Sequence, residues 1–143
     1  MRATDIFNKL SYLQYVFMLV SGYFYFLFIQ SLMNQAIDWS ELNNVLVFVG
    51  LAISISTLQD TTKTQNNLSR KVWESPRNGK IFLFVLTITT LLVISLGLVG
   101  FLNSAENIHK EISIGLVVFG IGLIGLLKTA IEMFENHRKD KNP

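Results

Sequence analysis

Apolar residues fall into four long blocks, at about 12–33, 42–59, 81–102 and 112–131, none with a charge at its centre. A helix needs about 20 predominantly apolar residues to cross roughly 30 Å of hydrocarbon, and the blocks meet or approach that length. The second is the shortest, with Ser54, Ser56 and Thr57 crowding its end. A core helix of a water-soluble domain would carry a polar face rich in Lys and Glu, and none of the blocks has one. The pattern predicts an all-α integral membrane protein, a single transmembrane domain over 1–143 whose four helices pair as two helical hairpins.

The polar intervals set the expected orientation, because Lys and Arg accumulate on the cytoplasmic side. Arg2 and Lys9 precede the first span, Lys63, Arg70, Lys71, Arg77 and Lys80 lie in segment 60–80, and Arg138, Lys139 and Lys141 lie in tail 132–143. Intervals 34–41 and 103–111 hold one basic residue, Lys110. Both termini are therefore expected in the cytoplasm, with two short outer loops, in a bacterial inner membrane. Lys128, in the last turns of the fourth span, fits a snorkelling anchor, and Trp39 and Trp73 are expected at headgroup level. The first apolar stretch is too long for a signal-peptide core and no small-x-small site follows it, so it is expected to stay in the mature chain.

Segment 60–80 is not composed as a loose linker. No Gly or Pro occurs from Leu58 to Trp73, so the second span is expected to continue as a cytoplasmic helix until Glu74-Ser75-Pro76, where proline disfavours helix in its predecessor. Asn78-Gly79 then reads as a turn. The fourth span likewise extends toward Arg138, with Lys128 and Glu132 on one face. On and between these stems Lys63, Arg70, Lys71, Arg77 and Lys80 are candidates to meet a cytoplasmic or membrane protein partner or anionic lipid headgroups of the bilayer. Clustered cations also attract nucleic acid, but Asp60, Glu74, Glu132, Glu135 and Asp140 interleave with them, and no nucleic-acid partner is expected. Displacing the sequence by seventy residues sets Glu41-Leu42 on Glu111-Ile112, Val47 on Val117 and Gly50 on Gly120, the trace that a tandem hairpin duplication would leave.

Polar side chains at membrane depth need partners. Alternating steps of four and three from the second span onward trace Asn43, Val47, Gly50, Ser54, Thr57, Thr61, Thr64 and Leu68, a heptad-like seam of small and polar residues. Such a seam suits close helix packing, because small residues let backbones approach. Repeated around a homo-oligomer axis, it would instead line a hydrated path. Thr87, Thr90 and Gly97 share a face of the third span, and Gly115, Gly122, Gly125 and Thr129 gather on one face of the fourth; these two faces are expected to pack together. Aromatic residues from Tyr12 to Phe28 surround the first span, which suits lipid contact and interfacial anchoring.

Composition narrows the chemistry. Only 15% of residues are charged, against about 25% in ordinary soluble domains. No Cys is present, which removes disulfides, thiol nucleophiles and Cys-based metal sites. Proton-coupled transporters use titratable groups inside the membrane, and no Asp, Glu, His or Arg lies mid-span. The small multidrug transporters share the length and span number but carry a membrane glutamate in the first span, where this chain offers Ser21 and Gln30. Haem ligation at membrane depth needs histidines, and His109 and His137 lie outside the spans. Glu106 and His109 form only half of a carboxylate-bridged metal motif. No catalytic residue, metal or cofactor is expected, and the chain reads as non-enzymatic. The leading functional reading is a homo-oligomeric channel or pore-type protein whose seam, from Asn43 to Thr64, faces the oligomer axis. The alternative is an accessory or scaffold subunit of a membrane complex whose stems dock a partner, and, more remotely, a lipid or quinone enzyme.

Overall fold

The computed structural model describes residues 3–62, 67–102 and 107–140. Among them the chain forms helices α1 (Ala3–Leu10), α2 (Leu13–Met33), α3 (Trp39–Ser56), α4 (Asn67–Glu74), α5 (Pro76–Leu102) and α6 (Asn107–His137). Four helices are long and apolar enough to cross a membrane, over Ile6–Met33, Trp39–Ser56, Pro76–Leu102 and Ile112–His137. Each overlaps one of the four apolar blocks, with the first and third starting earlier, the second shifted toward Trp39 and the fourth ending later than expected. With 31 residues, α6 is about 46 Å long at 1.5 Å per residue, so it outruns the hydrocarbon.

The helix ends follow local chemistry. α2 closes with Ala36 N–H donating to the Ser31 carbonyl at 3.0 Å and Gln35 N–H to that of Leu32 at 3.1 Å. Gln35 occupies the left-handed position at φ 55° that glycine commonly takes at such an end. Asp38 then caps α3 by accepting from Ser40 N–H at 2.9 Å, and Glu41 places a carboxylate in the first turn, where the helix dipole favours it.

Two boundaries differ from the sequence expectation. The second span does not run on to Trp73, because α3 stops at Ser56. Its last turn is rich in hydroxyls that bond back to the backbone: Ser56 Oγ donates to the Ile53 carbonyl and Thr57 Oγ1 to that of Ser54, both at 2.7 Å. Beyond it, Asp60 accepts from both the N–H and the hydroxyl of Thr62, a turn that competes with helix. The other difference lies at Asn78-Gly79, which is not a turn but part of the first turn of α5. Pro76 begins that helix, where its fixed φ and missing N–H cost nothing.

The spans lie in the order α2, α3, α6, α5, each packed on the next. α2 runs antiparallel to α3: Phe28 meets Trp39, and Phe24 stacks on Phe48 at 5.4 Å between ring centroids. α5 runs antiparallel to α6, with Gly79 beneath Phe134 and Gly97 beside Val117. The two inner helices are parallel, since Asn43, Gly50 and Thr57 of α3 meet Gly115, Gly122 and Gly125 of α6 in turn. A core of Trp73, Leu86, Leu123, Ala130, Met133 and Phe134 joins α4, α5 and α6 near one end.

Glycines set the separation of the inner helices. A Cβ on Gly50 would stand 2.7 Å from Phe119 Cα, and one on Gly122 would stand 2.5 Å from the Gly50 carbonyl oxygen. Both obstacles are backbone and cannot rotate away. Gly50→Ala and Gly122→Ala should each destabilise the protein by about 1–3 kcal/mol through overpacking, despite a helix-propensity gain of up to about 1 kcal/mol. Gly22 has nothing within 4 Å of its Cβ position, so Gly22→Ala should leave stability unchanged or raise it. Thermal denaturation of the three variants in one detergent checks the contrast.

Candidate functional site

Asn43, Gly50 and Thr57 of the seam come together on the α3–α6 interface. Asn43 Oδ1 accepts from Gly115 N–H at 2.6 Å, a side-chain bond between spans. Ser54 Oγ donates to the Gly50 carbonyl at 2.9 Å, and Thr57 meets the position of a Gly125 Cβ. In the last turns the hydroxyls are satisfied by their own helix and the glycines by the neighbouring backbone. Thr61 continues past the end of α3, its carbonyl accepting from Asn136 Nδ2 at 3.5 Å. Thr64 lies outside the described residues, as do Lys63 and Glu106.

The two faces expected to meet between the third and fourth spans separate in the structure. Gly115, Gly122 and Gly125 face α3, whereas α5 packs on another flank of α6, with Gly97 against Leu116 and Val117, and Ile94 against Gly120. The physical reason is that α6 has a neighbour on each of two sides, so its small residues serve two seams. Thr90 is buried and donates to the Leu86 carbonyl at 2.7 Å; Thr87 does the same to Leu83 and Thr129 to Gly125. Ser21 of α2, 5% exposed, donates to the Val45 carbonyl of α3.

One end of the bundle gathers most of the polar chemistry and is called the basic end below. Asp60 N–H donates to Asn8 Oδ1 at 3.1 Å, and Lys139 Nζ pairs with Glu74 Oε2 at 2.8 Å. Lys139 N–H also donates to the Glu74 carbonyl, so the chain after α6 straps α4 down. Arg138 lies over the Phe134 ring at 4.9 Å and pairs with Glu135 and Asp140. Trp73 is buried within the protein: its ring meets Phe82 in a T-shaped contact and its Nε1 donates to Ser69. Arg70, Lys71, Arg77 and Lys80 are exposed, with Arg70 3.6 Å from Glu74. Lys128 pairs with Glu132 at 2.8 Å on the outer face of α6.

Within this end opens a cavity of about 680 Å³, a volume typical of ligand sites. Asn8 and Lys9 of α1, Tyr12 and Tyr15, the Ser56-to-Thr61 stretch, Trp73, Phe82 and the last turns of α6 line it. Of the seam and packing residues expected from the sequence, Thr57, Thr61 and Thr129 reach it. Lys9, Tyr12, Ser56, Asp60 and Trp73 stand out in the sequence each for its own charge, ring or hydroxyl, and not as a group, because six segments converge to bring them together.

Two carboxylates at this end titrate low. The hydrogen bond from Lys139 holds Glu74 below its ordinary value of 4.5, and that from Arg138 holds Asp140 down to about 2. The strap's electrostatic contribution is thus complete above the ordinary carboxylate values and lost as pH falls through the depressed ones. In a Trp39→Phe background, Trp73 emission should stay constant from neutral pH to about 4.5 and shift to the red between there and about 2. Glu74→Gln should remove the Glu74 part of that transition.

No family model, no curated protein and no solved structure matches the chain.

Proposed function

We propose that this chain is a non-enzymatic, non-conducting subunit of a membrane complex, whose basic end faces the cytoplasm and docks a protein partner. One observation carries the choice: the small and polar seam of α3 is filled by α6 of the same chain, backbone against backbone at Gly50 and Gly122. A channel lined by that seam would require α6 to leave. The orientation is supported by ten Lys and Arg in the basic end and the segments joined to it, Arg2, Lys9, Lys63, Arg70, Lys71, Arg77, Lys80, Arg138, Lys139 and Lys141, as the positive-inside rule requires. The complex belongs to a bacterial inner membrane in this proposal.

The docking surface is the outward side of α4 with the start of α5. Trp73 against Phe82 and Glu74 against Lys139 fix α4 by one side, leaving Arg70, Lys71, Arg77 and Lys80 toward solvent. Held charges suit steering and register with an acidic partner.

Reconstituted in liposomes, the protein should pass no ions above the level of empty vesicles, and Ser54→Leu should change nothing. Arg70→Glu with Lys71→Glu should lower the native mass of the complex extracted from membranes while leaving insertion intact. Ion flux that falls in Ser54→Leu would overturn the proposal and restore the channel.

A further inference from the structure

The cavity at the basic end has a composition that the docking role does not use. α2 and α5 share no packed interface, yet Tyr12 and Tyr15 before and on one, and Phe82 on the other, line the same space. Its walls therefore stand apart where two apolar spans border the lipid. The lining is also mixed. Asp60, Thr61 and Ser69 lie beyond the spanning helices, while Phe82, Leu126 and Ala130 lie on them together with the polar Asn8, Lys9, Gln14 and Thr129. A cavity that joins polar groups beyond the spans to apolar and polar positions on them matches the headgroup and glycerol region of an amphiphile, not a free ion or a soluble metabolite.

Charge narrows the amphiphile. Among the described residues, the lining holds one cation, Lys9, and one anion, Asp60. The cleft brings both to one space, and Asp60 is fixed against α1 because its N–H donates to Asn8 Oδ1 at 3.1 Å, the residue before Lys9. One positive and one negative group lining the same cleft complement a zwitterion. A purely anionic headgroup would meet Asp60 as a like charge, which is unfavourable in a partly enclosed site. Hydroxyl and amide oxygens of Gln14, Gln59 and Thr57 add acceptors. A primary ammonium supplies three N–H donors for such acceptors, and a fully methylated one supplies none.

We propose that this cleft binds the headgroup of one zwitterionic aminophospholipid drawn from the surrounding bilayer. Its phosphate sits toward Lys9, its ammonium toward Asp60, and its glycerol and first methylenes against Phe82, Leu126 and Ala130. The lipid fills the gap between α2 and α5 and ties α1 to the rest of the basic end.

Native mass spectrometry of the full-length protein in mild detergent tests this directly, titrating phosphatidylethanolamine, phosphatidylcholine and phosphatidylglycerol of identical chains. One phosphatidylethanolamine per chain should be retained, about tenfold more tightly than phosphatidylglycerol and measurably more tightly than phosphatidylcholine. Asp60→Asn should lose most of the preference over phosphatidylglycerol, because the charge-assisted bond to the ammonium weakens. Lys9→Gln should weaken all three lipids, as should Leu126→Trp, which fills the apolar wall. Unchanged circular dichroism and elution certify each variant, and Lys9→Gln, at an exposed residue, is the guard should Leu126→Trp misfold. Equal retention of the three lipids, a preference for phosphatidylglycerol, or retention indifferent to Asp60→Asn would each overturn the proposal. The outcome is separate from that of the docking role, which reads complex mass and ion flux.

Discussion

Everything else in this molecule is arranged around the parallel contact of α3 and α6. In hydrocarbon there is little hydrophobic force to hold helices together, so association depends on close packing and on the few polar bonds available. Gly50 and Gly122 remove the side chains that would keep these backbones apart, and Asn43 adds a hydrogen bond to Gly115 N–H near one end. The outer helices then attach separately, α2 to α3 through aromatic stacking and α5 to α6 through Gly97, Ile94 and Gly120. Each inner helix thus has one antiparallel outer neighbour, an arrangement with a near two-fold character. It places Gly50 beside Phe119 and Gly122, close to the seventy-residue displacement visible in the sequence.

A helix packed on two sides has consequences for its sequence. α6 must present small residues in two directions, and its glycines divide accordingly, Gly115, Gly122 and Gly125 toward α3 and Gly120 toward α5. Hydroxyls at these depths bond mainly to carbonyls a turn earlier in their own helices, as Ser54, Thr57, Thr87, Thr90 and Thr129 do. Their polarity is satisfied within the fold, so a polar stripe on a spanning helix does not by itself imply a water-filled path. Polar groups that packing between the spans does not absorb gather at the basic end, where α1, the α3 terminus, α4 and the last turns of α6 converge around a cavity.

The spans were legible because the bilayer imposes length and hydropathy on them directly. The seam was legible as a face, but not its partner, since steps of four and three are the same whether the opposing helix belongs to the chain or to a copy. The end of α3 was not legible from Gly and Pro alone: beyond Thr57, Asp60 folds the chain into a turn by accepting from Thr62, and Asn8, far away in the chain, holds Asp60 in place. Trp73 looks like an interfacial anchor until Phe82 and Ser69 are seen to enclose it. Asn78-Gly79 has the composition of a turn, yet Gly79 is held in helix where the Phe134 ring leaves no room for a Cβ. These are tertiary decisions that local propensity does not contain.

The α3 seam is closed by α6 of the same chain, and the absence of cysteine lets that closure be trapped chemically. A Cβ on Gly125 would stand 3.9 Å from Thr57 Cβ, close to the separation of about 3.8 Å found in disulfides. A Thr57→Cys, Gly125→Cys double variant oxidised in native membranes should form a disulfide within one chain, seen as loss of free thiol with no gain in mass on a non-reducing gel. Disulfide-linked dimers or larger species, with no intrachain bond, would show that the seam faces another copy.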